Sequence, residues 1–133
     1  KEAALRVCSP FFKREEQSFN IEFKTSDASA NPYLALGAII AAGLDGIERE
    51  LDPGEPSEHD PAYLSAEELV RGKVRPLPSS MSAGLDQLEA DEFLVGTLGE
   101  FLTRCYLGVR RSEADAFAAG DLDFEIRNHF YRF

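Results

Sequence analysis

Glu22 and Lys24 stand two residues apart in the run Asn20-Ile21-Glu22-Phe23-Lys24. Phe19, Ile21 and Phe23 alternate there with Asn20, Glu22 and Lys24, the period of two that marks a β-strand. The sequence therefore predicts a strand with Phe, Ile and Phe on one side and Asn, Glu and Lys on the other. On that polar side the carboxylate and the ammonium lie about 7 Å apart. A carboxylate so presented binds a hard cation such as Mg²⁺ or Mn²⁺. An ammonium beside it holds an anionic group of a substrate. Spacing alone favours a plainer use, an ordinary same-face ion pair on a solvated sheet.

The elements that must carry these residues are mostly helical. Ala3 to Val7 is a short apolar strand around Arg6, followed by a loop with Lys13, Arg14, Glu15 and Glu16. Asp27 to Ala30 forms a small-residue connection. Asn31-Pro32 is a helix start, with Asn as the N-cap and Pro at the first helical position. The helix from Tyr33 to about Leu51 begins apolar on every face, so burial is expected. Gly37, Gly43 and Gly46 each cost it about 1 kcal/mol relative to Ala, which close packing against neighbouring backbone would explain. Asp52 to Pro61 reads as a surface loop, and Ser65 ahead of Glu67 and Glu68 caps one or two helical turns. Ser80 or Ser82 opens a short helix to Asp91. A long helix follows from Asp91 to Arg110, with an inward stripe of Leu94, Leu98, Phe101, Leu102, Cys105 and Val109. A new start at Ser112, a stop at Gly120 and a last short helix through Leu122, Ile126 and Phe130 complete the reading. The expected class is α+β and mostly helical. Short N-terminal strands of a larger sheet precede a buried helix and a C-terminal helical bundle.

Composition limits the function. The 133 residues carry 14 Lys and Arg against 24 Asp and Glu, a formal charge of −10. That surface repels a polyanion, so nucleic acid is excluded as a partner. The longest apolar run, Tyr33 to Leu44, falls short of the roughly 18 residues needed to span a bilayer, and no membrane partner is expected. Cys8 and Cys105 match no metal spacing and read as buried thiols of a reducing compartment, although a disulfide stays open. The expected location is cytoplasmic. The opening Lys-Glu-Ala-Ala-Leu-Arg-Val has no initiator Met and reads as an interior strand, so the chain is expected to be a piece of something longer. His59, in an acidic loop, and His129, near the aromatic terminus, are expected to be structural or exposed. No side-chain triad is discernible.

The segment NIEFKTSDASANPYLALGAIIAAGLDGI, residues 20–47, resembles the signature near the end of the glutamine synthetase catalytic domain. DPGEP after the helix, YLSAEEL in the loop and LPSSMSAGLDQLEADEFL extend the resemblance over nearly the whole chain. The resemblance implies a C-terminal portion of such a domain over residues 1–133, with its upstream part as the first partner. It places Glu22 at the family's metal-binding glutamate and Lys24 where the family usually has an Arg that holds the carboxylate of glutamate. Arg6, in AALRV, resembles an arginine that contacts the phosphates of ATP.

Some positions depart from the family pattern. Asn20 stands where typical members carry another Arg close to the transferring phosphate. Lys24 keeps the charge but lacks the bidentate fork of Arg. An Asn-x-Glu-x-Lys strand resembles the divergent branch that includes proteins fused to amidohydrolase-like domains. Between Arg6 and Glu22 the chain runs a few residues longer than typical bacterial members, and no role is carried over to Lys13, Arg14 or Gln17.

The chemistry implied is that of an ATP-dependent ligase. Glutamate, or a related carboxylate, is converted to an acyl-phosphate and then to an amide by ammonia or an amine, with Mg²⁺ or Mn²⁺ as cofactor and ATP as co-substrate. The full enzyme is expected to be a homo-oligomer, and the 133 residues alone to be inactive. The rival reading is a non-catalytic relative in which this region serves structure or assembly.

Overall fold

β1 (Leu5–Val7) and β2 (Ile21–Phe23) pair antiparallel, with Leu5 opposite Phe23, Arg6 opposite Glu22 and Val7 opposite Ile21. Two further backbone bonds prolong the ladder at either end. The N–H of Cys8 donates to the carbonyl of Asn20 (3.0 Å), and that of Lys24 to the carbonyl of Ala4 (2.8 Å). The pleat sends Leu5, Val7, Ile21 and Phe23 to one face and Arg6 and Glu22 to the other. These features come from a computed structural model that describes residues 4–26, 29–57 and 59–130. Asp27 and Ala28, half of the expected small-residue connection, lie outside the described residues.

The chain forms two compact units. Lys1–Ala30 and Asp52–Arg75 make one, and Asn31–Leu51 and Pro76–Phe133 make the other.

In the first unit the loop expected after β1 contains one helical turn, α1 (Glu15–Ser18). Phe19 closes that turn instead of opening the strand, because its N–H is taken by the carbonyl of Glu15. Ser18 ties the loop together, accepting from the N–H of Phe11 (2.7 Å) and donating to the carbonyl of Arg14 (2.7 Å). A single 3-10 turn (Pro61–Tyr63) precedes the next helix of this unit. α3 (Ala66–Arg71) starts with a full capping box. Ser65 Oγ accepts from the N–H of Glu68, and Glu68 Oε2 accepts from the N–H of Ser65.

In the second unit α2 (Pro32–Glu48) begins as expected. Asn31 Oδ1 accepts from the N–H groups of Tyr33 (3.0 Å) and Leu34 (3.2 Å), a cap that stabilises by about 1 kcal/mol. α4 (Met81–Ala90) is capped by Ser80. α5 (Glu92–Leu98) packs on α2, α4 and α6, and α4 also packs on α6. α6 (Glu100–Ala119) and α7 (Leu122–His129) meet through Phe117, whose ring is edge-on to Phe124 and stacked on His129. The class is α+β and mostly helical, as the sequence indicates.

The long helix predicted over Asp91 to Arg110 is broken. Gly99 takes φ 80°, a left-handed conformation that ends α5 and re-aims the chain before α6. α6 then runs on through Ser112 with no new start there. The break changes the phase between the two helices, so the expected stripe does not form one inward face. Thr103, Leu107 and Ala114 are the buried positions of α6, whereas Phe101, Cys105 and Val109 are exposed. Arg111 on α6 fixes this docking through Asp86 (2.9 Å) and Glu89 (2.6 Å) of α4.

α2 has no fully buried residue. Leu36, Ile40, Leu44 and Ile47, spaced four, four and three apart, form an exposed apolar stripe. An added Cβ at Gly37, Gly43 or Gly46 meets nothing within 4 Å, so the expected close packing at these glycines is not made by the described residues. The helix has more apolar faces than the described residues cover. No helix among the described residues is long and apolar enough to cross a membrane.

Candidate functional site

The antiparallel register brings the sequence-predicted site residues together on the polar face of the ladder. Arg6 and Glu22 are direct cross-strand partners, and Arg6 Nη2 donates to Glu22 Oε1 at 2.8 Å. Lys24, two residues along β2 and therefore on the same face, brings Nζ to 3.9 Å from Glu22 Oε2. One carboxylate is thus held between two cations, one at each oxygen. Its side chain remains 42% exposed, so the carboxylate is reachable from solvent.

Cys8 extends the face beyond Arg6. Its sulfur lies 3.7 Å from the same Nη2 that engages Glu22. The guanidinium is held in its charged form, above its ordinary range, first by this bond to the thiol and next by the charge of Glu22. Arg6 Nε is enclosed and finds no hydrogen-bond partner among the described residues. Cys8 was not singled out as a site residue from the sequence. The usable signal was its spacing, since a residue two beyond Arg6 in a strand lies on the Arg6 face. Neither cysteine is fully buried or disulfide-bonded: Cys8 is half-buried beside Arg6, and Cys105 is exposed because the inward face of α6 lies elsewhere.

Asn20 sits opposite Cys8, and its Nδ2 donates to the carbonyl of Ser18 (3.0 Å). At that end Phe11, Arg14, Gln17, Ser18, Phe19 and Asn20 line an open concavity of about 400 Å³. His59 lies in the exposed loop near Glu68, and His129 stacks on Phe117 at 4.6 Å; neither joins the polar face of the ladder. Among the described residues no group of three or more His, Cys, Asp or Glu converges. Glu22 is an accessible hard oxygen donor and fits a Mg²⁺ or Mn²⁺ ion as one ligand of a set completed from elsewhere.

Fold and face together define a segment of an α+β domain that presents one carboxylate between two cations. Comparison with known proteins gives the segment its family. Residues 1–129 match the family described as glutamine synthetase, catalytic domain. The chain is 38% identical over 115 residues to a glutamine synthetase of Sulfolobus acidocaldarius, an alignment covering 86% of this chain and 24% of that protein. With the glutamine synthetase of Aquifex aeolicus the identity is 38% over 131 residues, covering 95% of this chain and 27% of that protein. With that of Streptomyces coelicolor it is 43% over 96 residues, covering 71% of this chain and 20% of that protein. The chain belongs to the glutamine synthetase catalytic-domain family. It spans about a quarter of the length of these curated relatives.

Proposed function

We propose that the chain is the C-terminal portion of the catalytic domain of an ATP-dependent ligase. The ligase would make an amide from glutamate, or a related carboxylate, and ammonia or an amine. The observation that carries the reading is the meeting of Arg6 and Lys24 around the carboxylate of Glu22 in a chain of this family. In this reading Glu22 is one oxygen ligand of a Mg²⁺ or Mn²⁺ ion, which when bound offsets phosphate charge. Arg6, a permanent cation with several donors, holds phosphate oxygens of ATP. Lys24 holds a carboxylate of the acid substrate as a point charge, without the fork that an Arg would supply.

The reaction proceeds in two steps. The side-chain carboxylate of the acid takes the γ-phosphoryl of ATP to give an acyl-phosphate and ADP. The amine nitrogen then attacks the acyl carbon, forming the C–N bond as the C–O bond to phosphate breaks; inorganic phosphate leaves with the electron pair, and the proton lost by the nitrogen goes to that phosphate or to solvent. Bringing two anions together requires a cluster of positive groups. Arg6 and Lys24 supply two of them, and the remaining ligands and the nucleotide pocket belong to the upstream part of the domain.

The deciding experiment is ADP release by the full-length polypeptide that carries this chain, with glutamate and a panel of amines, with and without Mg²⁺ or Mn²⁺. Cation-dependent ADP release that requires both acid and amine is expected. ADP release absent with every acid and amine pair would overturn the reading. It would favour instead an assembly role, to which the exposed stripe of α2 is suited.

A further inference from the structure

We propose that Cys8 is a positioning residue whose sulfur holds the Arg6 guanidinium on the polar face of the ladder, where Arg6 meets phosphate. The inference rests on the phosphate-binding reading of Arg6 given above. Three observations carry it. The backbone bond from Cys8 N–H to the Asn20 carbonyl continues the β1–β2 ladder by one residue, so Cys8 has a fixed place beside Arg6. Its sulfur is a free thiol, half-buried, and 3.7 Å from Arg6 Nη2. That same Nη2 makes the bond to Glu22, while Nε is enclosed without a partner among the described residues, so the guanidinium is steered from its Nη2 corner.

The two acceptors are not equivalent. Glu22 is a hard oxygen donor, and a Mg²⁺ or Mn²⁺ ion competes with Arg6 for its lone pairs. A thiol sulfur is soft and does not attract those cations. When Glu22 turns to an ion, Cys8 is the acceptor that keeps Arg6 on the face. The sulfur touches neither phosphate nor metal in this account; it acts through Arg6 alone.

The test uses the full-length polypeptide with Cys8→Ala, Cys8→Ser and Arg6→Ala, measuring kcat and KM for ATP and, by calorimetry, the Kd for ATP with Mg²⁺. Removing one weak hydrogen bond that acts equally in the ground and transition states should raise KM and Kd for ATP about threefold in Cys8→Ala, with kcat unchanged. Cys8→Ser, which keeps an acceptor, should restore most of the loss. Arg6→Ala should weaken ATP binding more than either. Should Cys8→Ala fail to fold, Cys8→Val fills the space without accepting a hydrogen bond and carries the same expectation. ATP affinity unchanged in the Ala or Val variant, with Arg6→Ala impaired, would overturn the role of Cys8 and leave the proposed function standing. Equal losses in Ala and Ser would overturn it in favour of packing. Unchanged ATP binding in Arg6→Ala would remove the phosphate role of Arg6, and the inference with it.

Discussion

Arg6 and Glu22 are opposite one another in the β1–β2 ladder, and their side chains close the pair with a bond of 2.8 Å. A half-exposed ion pair of this kind is screened by solvent and contributes little to stability. Its importance is geometric, because the pairing fixes where the carboxylate and the guanidinium stand relative to Lys24 and Cys8. The site is therefore set by strand register, and a slip of one residue would turn Glu22 to the opposite face.

Glu22→Gln tests the carboxylate. The amide keeps the shape and an acceptor oxygen but loses the charge that attracts a hard cation. ADP release by the full-length polypeptide should fall at least about tenfold, and the apparent affinity for Mg²⁺ or Mn²⁺ should fall with it. The side chain is solvent-exposed, so the melting temperature should change little. Full activity with unchanged metal dependence would remove Glu22 from the site.

Lys24 tests the acid substrate. Lys24→Ala should raise the KM for the acid about tenfold, since one charge-assisted contact is lost, while the KM for ATP changes less. Lys24→Arg separates charge from geometry. If the acid is glutamate and the missing fork limits its use, the Arg variant should lower the KM for glutamate. Insensitivity of every carboxylate substrate to both changes would exclude this role.

What the sequence makes legible here follows the range of the interactions. Asn31 and Ser65 announced their helices because a cap acts over three or four residues. The alternation through Ile21 and Phe23 likewise revealed the two faces of β2. The pairing of β1 with β2 joins residues sixteen apart, and no local pattern encodes it. The spacing of two places Cys8 on the Arg6 face, but the contact between its sulfur and Nη2 depends on where Arg6 points. The break at Gly99 was missed because apolar spacing continues across it at nearly helical period. A single glycine with φ 80° then decided which face of α6 turns inward, burying Thr103 and Leu107 and exposing Phe101.

The capping box of α3 carries a pH dependence. Glu68 titrates below the usual carboxylate range, first because its oxygen accepts the backbone N–H of Ser65 and then because it accepts the Ser65 hydroxyl. A carboxylate lowered in the folded state contributes stability above its unfolded pKa and loses it as pH falls through the folded one. The contribution is thus complete at neutral pH and lost on acidification through and below the ordinary carboxylate range. Hydrogen exchange of the Ala66–Arg71 amides should accelerate there, relative to the intrinsic rate, and Ser65→Ala should give much of the same acceleration already at neutral pH. Protection indifferent to both acid and the substitution would show that the box does not hold this helix.

The last prediction concerns the 133 residues by themselves. On the ladder, Leu5, Val7, Ile21 and Phe23 form an apolar face that is exposed. On α2, Leu36, Ile40, Leu44 and Ile47 form a second exposed stripe. The described fully buried residues are few, Leu85, Thr103, Leu107 and Ala114, all on α4 and α6. Apolar area left in water at this density drives association, at about 25 cal/mol for each Å² removed from solvent. The two-stranded ladder adds unpaired strand edges, which template pairing with another chain. The isolated chain should therefore self-associate in light scattering and bind a hydrophobic dye strongly. Its ATP affinity should be weak, because on the proposed reading Arg6 would supply a single phosphate contact and Glu22 a single metal ligand. Adding the upstream part of the catalytic domain should reduce dye binding and restore ATP binding together. A monodisperse monomer that binds ATP with micromolar affinity would mean that these surfaces need no cover and that the nucleotide site is complete within the chain.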